Sequence, residues 1–259
     1  MSGASNPKGG NGDRPVLVLG AKSDMARAIA RALAERGHPI QLAARSPEDI
    51  ARDAADLTAR YGVPATCHAY DAEAPAEGEG GAAGLLAGLP AAPSIAICAV
   101  GFMPEQEESA NDPALGRRVI AANFTGPAQA LEMIAGRMHA TGLPCAVVGI
   151  SSVAGDRGRA KNYVYGAAKA GFSEWLSGMR QKYAASKVQV LTVKPGFVNT
   201  AMTAGMDTPA PLTSQPEDVA KAVLKGLDGG KTLVMDPKWR LIMAIITHLP
   251  EKIFMKTKF

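Results

Sequence analysis

Residues 15–37 read PVLVLGAKSDMARAIARALAERG, and the change of period inside this stretch decides the fold. Residues 15–19 are an unbroken apolar run of strand length, the pattern of a strand buried on both faces. Residues 20–23 are a tight loop, and residues 25–36 are an Ala-rich helix stopped by Gly37. Strand, tight turn and helix make the first half of a βαβ unit. The alternation recurs outward. Further strands are read at 40–44, 65–71, 94–100, 145–150, 188–193 and near Leu233, and helices at 47–60, 113–139, 163–183 and 216–227. Residues 72–93 are so rich in Ala, Gly, Glu and Pro that only a short helix is expected there.

Seven strands separated by helices predict an α/β fold: a single doubly wound, Rossmann-type parallel seven-stranded sheet with helices on both faces. The expected organisation is a flexible tail over 1–13, one dinucleotide-binding and catalytic domain over 14–235, and a basic, apolar segment over 236–259. With 47% hydrophobic and 20% charged residues, the 259-residue chain can bury one sizeable core. The formal charge of +4 is not gathered into Arg/Lys blocks interleaved with aromatics, so nucleic acid is not expected as a partner. Cys67, Cys98 and Cys145 lie far apart and form no CxxC pair, which argues against a disulfide framework and against a metal site, and suits a cytoplasmic protein.

In such a sheet, ligands sit beyond the carboxyl ends of the strands where strand order reverses. The turn after the first strand, with Gly20, Lys22, Ser23 and Met25, stands where a pyrophosphate meets a helix N-terminus, and Lys22 could help neutralise it. Asp24 and Ala26 occupy positions where a fuller glycine motif has glycines, so the turn also reads as a plain strand-to-helix connection. The second strand ends on Arg45 rather than on an acid, which favours NADP(H) over NAD(H), although NAD(H) remains open. Asp71, ending the third strand, could accept from an adenine amine or simply start a loop.

The strongest pattern is Tyr165-Gly166-Ala167-Ala168-Lys169, because residues four apart share one helix face. For a phenol to work as an acid/base near neutrality its pKa must fall by about three pH units, roughly 4 kcal/mol, and a neighbouring ammonium can contribute that preference. Ser152, thirteen residues ahead of Tyr165, can hydrogen-bond the substrate oxygen. Asn123 is a poor helix former in mid-helix that could hold a water behind Lys169, or simply mark a helix irregularity. Pro195 turns the chain under a nicotinamide, with Val198 beyond it, and Thr200 could bond the carboxamide.

Asn123, Ser152, Tyr165 and Lys169, in that order and spacing, resemble the catalytic tetrad of the short-chain dehydrogenase/reductase family, and the resemblance extends from Pro15 to about Val234. It implies Tyr165 as general acid/base, Lys169 as the group that lowers its pKa and binds the nicotinamide ribose, Ser152 orienting the carbonyl and Asn123 supporting a proton-relay water. It implies backbone contact from Ala99 and close approach at Gly101, and a homodimer or homotetramer. The motif departs from the family in Cys98-Ala99-Val100-Gly101, where Asn-Asn-Ala-Gly is usual. Within the family, Ser151-Ser152-Val153-Ala154-Gly155-Asp156-Arg157, the Val164-Tyr165-Gly166 context and the C-terminal segment are similar to the decaprenylphosphoryl-2-keto-ribose reductases. That branch implies a lipid-linked 2-keto sugar as substrate and a flavin-dependent oxidase as partner. A small soluble ketone, a steroid-like alcohol or a 3-ketoacyl thioester is the alternative within the same chemistry. A redox-inactive NADP(H) sensor or scaffold is the alternative outside it.

Residues 239–259, WRLIMAIITHLPEKIFMKTKF, mix apolar side chains with Arg240, Lys252, Lys256 and Lys258. This suits peripheral contact with the inner face of the cell membrane, or equally a helix packed on the subunit or on a neighbouring one. The apolar run at 242–249 is too short to span a bilayer.

Overall fold

The computed structural model describes residues 14–257; the expected tail over 1–13 and Lys258 lie outside them. In chain order the elements are β1 (Val16–Leu19), α1 (Asp24–Ala34), β2 (Ile40–Ala44), α2 (Ala51–Tyr61), β3 (Ala65–Ala69), α3 (Ala82–Gly88), β4 (Ile95–Cys98), α4 (Gln106–Asn111), α5 (Pro113–Ile120), α6 (Gly126–His139), β5 (Cys145–Ile150), α7 (Tyr163–Lys182), β6 (Val188–Val193), β7 (Phe197–Val198), β8 (Thr213–Ser214), α8 (Pro216–Asp228), β9 (Leu233–Val234), α9 (Pro237–His248) and α10 (Glu251–Phe254). Seven strands form one sheet in the order β3-β2-β1-β4-β5-β6-β9, and every pair is parallel. Leu19 is in register with Ala43 on one side and Cys98 on the other. Strand order therefore reverses between β1 and β4, and the crevice opens at their carboxyl ends.

The apolar run of β1 is needed because the strand is covered twice. Val16 and Val18 belong to the core beneath α1 and α8, with Ile29, Leu33 and Val223. Leu17 and Leu19 face the opposite core, with Leu131, Ile134, Phe172 and Leu176 of α6 and α7. Alternate side chains of one strand thus supply both layers.

The structure corrects the sequence reading in several places, β4 among them, which spans Ile95–Cys98 instead of 94–100. The helix expected over 113–139 is broken by a π turn, Ala121–Thr125, that holds Asn123. A short α4 precedes it. β3 stops at Ala69 instead of Asp71, because the Asp71 N–H turns away to the Gly80 carbonyl. β7 and β8 pair as a separate two-stranded sheet. The C-terminal segment is bound to the body: Trp239 is 2% exposed, donates its indole N–H to the Leu212 carbonyl at 3.0 Å and packs edge-on to Phe197. No helix among the described residues is long and apolar enough to cross a membrane.

Where the π turn passes into α6, backbone meets backbone. A Cβ on Gly126 would stand 1.9 Å from the Ala72 carbonyl oxygen, and the Tyr70 hydroxyl donates to the Gly126 carbonyl at 3.2 Å. Replacing Gly126 by Ala must push α6 off the end of β3, and urea denaturation of that variant is expected to show a loss of about 2–3 kcal/mol.

Candidate active site

A cavity of about 370 Å³ opens at the carboxyl ends of β1, β2, β4 and β5. Gly20, Lys22, Ser23 and Met25 bound it on the side of the first turn, Arg45 and Asp71 at one end, and Ala99 and Gly101 opposite. Tyr165, Lys169 and Thr200 also line it. The turn can approach β4 only because position 20 is glycine: its φ is +75°, and a Cβ there would lie 2.8 Å from the Val100 nitrogen. Arg45 is exposed, and its guanidinium makes no ion pair with any described residue. Lys22, by contrast, is engaged by Asp49 at 2.7 Å. These features fit a dinucleotide carrying a phosphate near Arg45.

At the other end, α7 presents Tyr165 and Lys169 on one face, with the Lys169 nitrogen 5.7 Å from the Tyr165 ring centre. Lys169 is almost fully buried and donates to the carbonyls of Ile150 at 3.1 Å and Val100 at 3.3 Å. Burial holds its pKa down to about 8, slightly opposed by Cys98, whose own thiol burial pushes up to about 11. Burial likewise pushes the Tyr165 phenol up to about 12, against the pull of its hydrogen bond with Ser152. The lowering expected from the sequence counts on a charged nicotinamide ring beside the lysine; the protein's own groups push the other way. Desolvation of the phenolate outweighs an ammonium that is itself short of solvent.

Ser152 sits past the end of β5 and its Oγ accepts from the Ala154 N–H at 3.1 Å. The loop that carries it is braced by an ion pair of 2.6 Å between Lys194 and Asp156, both mostly buried. Its neighbour Ser151 lines the cavity instead, donating to the Lys169 carbonyl at 3.0 Å and so fixing α7 to the strand end.

Besides Ser152, three expected residues stand outside the cavity wall. The Asn123 side chain is spent inside the protein: its Nδ2 donates to the carbonyls of Phe102 at 2.6 Å and Val119 at 2.9 Å, and its Oδ1 accepts from the Phe102 N–H. It holds the π turn against the loop after β4. The Pro195 carbonyl accepts from the Val153 N–H, and Val198 is 4% exposed with its carbonyl bonded by Thr203. Both shape the loop from behind.

The sequence reading missed Phe102, Arg118, Glu73 and Met202, all of which line the cavity. Arg118 lies over the Phe102 ring at 5.2 Å and pairs with Glu73 at 2.8 Å. Nothing in their local sequence marks them, since each acts through a neighbour distant in the chain.

Comparison with known proteins agrees with this geometry. The family model described as short chain dehydrogenase matches residues 14–210. An uncharacterized oxidoreductase of Mycobacterium tuberculosis is 35% identical over 230 residues, covering 89% of this chain and 90% of that protein. The cis-4-hydroxycyclohexanecarboxylate dehydrogenase of Sinomonas cyclohexanicum is 31% identical, covering 82% of this chain and 88% of its own. Among solved structures, a short-chain dehydrogenase from Sphingobium yanoikuyae in complex with NADPH shares the fold with a TM-score of 0.77 at 24% identity, over 92% of this chain and 97% of that one. Fold, cavity and relatives converge, and the chain belongs to the short-chain dehydrogenase family of oxidoreductases.

Proposed function

We propose that this oxidoreductase uses NADPH to reduce a ketone to a secondary alcohol, with Tyr165 as the proton donor. The observation that carries the reading is that Tyr165, backed by Lys169 and following the Ser152 loop, lines the same cavity as the exposed Arg45. A bound nicotinamide supplies the hydride. The chain's own residues do the rest. Ser152 and Tyr165 orient the carbonyl oxygen through their hydroxyls. Because burial keeps the phenol protonated far above neutrality, Tyr165 holds the proton that the new alkoxide needs, which suits reduction at neutral pH. Solved neighbours of the same fold are complexed with NADPH, with NADP and with NAD, and the exposed Arg45, without an ion pair among the described residues, supports the phosphorylated cofactor.

The finer reading is a 2-keto pentose on a polyprenyl phosphate, made by a flavin-dependent oxidase. What supports it, beside the resemblance in residues 151–157, is the surface next to the site. α9 packs through Trp239 against Val153 and Phe197, neighbours of Ser152 and of the Thr200 loop. Its outer face and α10 expose Leu241, Ile245, Ile253 and Met255, from 53% to 75% each. Arg240, Lys252 and Lys256 are exposed among them. Such a face suits the interface of an anionic membrane that holds a lipid-tailed substrate. The relative named for a cyclic secondary alcohol favours a second reading, a soluble cyclic ketone.

The test follows NADPH oxidation in the presence of oxidised polyprenyl-phosphoryl pentose, with a soluble cyclic ketone and NADH as parallel arms. Lipid-dependent consumption is the expected result; consumption with the cyclic ketone alone overturns the lipid reading. Arg45→Ala is expected to lower the preference for NADPH over NADH about tenfold or more by fluorescence titration, the loss of one charge-assisted contact. An unchanged preference would take Arg45 out of cofactor selection.

A further inference from the structure

Asp24 opens α1 beside the turn that holds Gly20 to Ser23, and it lines the cavity. A carboxylate there is costly for an enzyme of phosphate-bearing cofactors, because it places a negative charge where the free N–H groups of a helix start favour an anion. Its partners show what it does. Asp24 Oδ2 accepts from the Ala201 N–H at 2.9 Å, across 177 residues of chain, while Arg27, itself held by Asp53, lies 3.7 Å from the other oxygen.

The segment Ala201 belongs to has little else to hold it. No residue of 200–206 is buried. The Thr203 hydroxyl donates to the Val198 carbonyl at 2.6 Å and accepts from the Thr200 N–H at 3.2 Å, both local bonds. Among the described residues, the Asp24 bond is the one hydrogen bond that ties 200–206 to another part of the fold. Yet this segment carries Met202 into the site. The Met202 methyl lies 3.1 Å from the place a Cβ on Gly101 would take, a point 3.6 Å from Asn123 Oδ1 and 4.0 Å from the Lys169 nitrogen.

We propose that Asp24 is a positioning residue that ties the 200–206 loop to the cofactor turn and so sets Met202 as the roof of the catalytic cavity. Its two attributes have separable effects. As a hydrogen-bond acceptor it orders the roof. As a charge it weakens cofactor binding. The cofactor and substrate arms of the test rest on the reductase reading; the exchange arm does not.

Asp24→Ala removes both attributes, and Asp24→Asn keeps an acceptor oxygen while losing the charge. In the cofactor-free full-length protein, hydrogen exchange over 200–206 is expected to quicken about tenfold or more in D24A and to stay within about threefold of wild type in D24N. Tenfold corresponds to about 1.4 kcal/mol, the scale of one hydrogen bond to a charged group. NADPH affinity by fluorescence titration should rise about two- to fivefold in D24N, since the repulsion is gone and the roof is kept. With the oxidised polyprenyl-phosphoryl pentose, KM should rise about tenfold in D24A, with rescue in D24N and kcat changing less than about threefold, the mark of lost binding rather than lost chemistry. Equal exchange in wild type and D24A overturns the proposal, as does a D24N variant as loose as D24A. If the wild type fails to bind NADPH or to reduce the lipid, the functional reading falls, and the exchange comparison still decides the role of Asp24.

Discussion

Tyr165→Phe is expected to cut kcat for ketone reduction by about 10³-fold or more while leaving NADPH affinity within about threefold of wild type. The substitution keeps the ring and removes one hydroxyl, so its effect reads the proton and little else. With the hydroxyl gone, the oxygen that gains negative charge on hydride arrival has Ser152 beside it but no acid of matched position. Water is a poor substitute here, where burial, partly offset by Ser152, pushes the phenol up to about 12. Stopped-flow measurement of a single turnover, alongside fluorescence titration of NADPH, separates the two effects. Preserved turnover would remove Tyr165 from the chemistry; preserved function in a cell together with lost turnover would point to the redox-inactive sensor.

Lys169→Met is expected to abolish turnover and, at the same time, to change how stability depends on pH. In the folded cofactor-free protein the ammonium has its pKa held down to about 8 by burial, from an ordinary 10.5. Below pH 8 both folded and unfolded chains carry the charge, and the folded one bears its full desolvation cost. Between 8 and 10.5 the unfolded chain binds more protons than the folded one, so wild-type stability rises with pH through that window, by about 3 kcal/mol. Methionine has no proton to lose and its contribution is flat. It also leaves the carbonyls of Ile150 and Val100 without their lysine donor, a loss of about 1 kcal/mol each. The variant should thus be about 1 kcal/mol more stable than wild type at pH 7 and about 2 kcal/mol less stable at pH 10.5. Urea melts at the two pH values check this, and a difference that does not change with pH would mean that Lys169 is not strained by its burial. The same ionisation bears on catalysis: kcat/KM of the wild type should fall as pH rises through about 8, where the free protein loses the Lys169 charge.

What the sequence disclosed and what it concealed follow from how local each feature is. The ranges of β2, β5 and β6 were legible to the residue, because each is a short, mainly apolar run with polar or turn-forming residues at its ends. α4, whose sequence is QEESAN, offers no apolar period and buries only Gln106 and Ser109. β7 and β8 are two residues each and exist through pairing. In the site, Tyr165 and Lys169 could be read because helical spacing alone sets them side by side. The bond from Asp24 to Ala201 could not, since only the finished fold brings those residues together. The burial that raises the Tyr165 phenol was hidden for a related reason: a neighbouring charge can be inferred from spacing, whereas depth of burial cannot.

The π turn at 121–125 has a further consequence for how this chain can change. A turn wound with one residue too many is what an insertion into a regular helix leaves behind, and removing that residue would restore uniform winding at little cost to the backbone. It would also rotate one half of the helix against the other by about 100°. Asn123 would then leave Phe102, and Gly126 would leave Ala72, together. The extra residue is thus locked in by two unrelated contacts, and a lineage that carries it can shed it only by rebuilding both walls of the crevice at once.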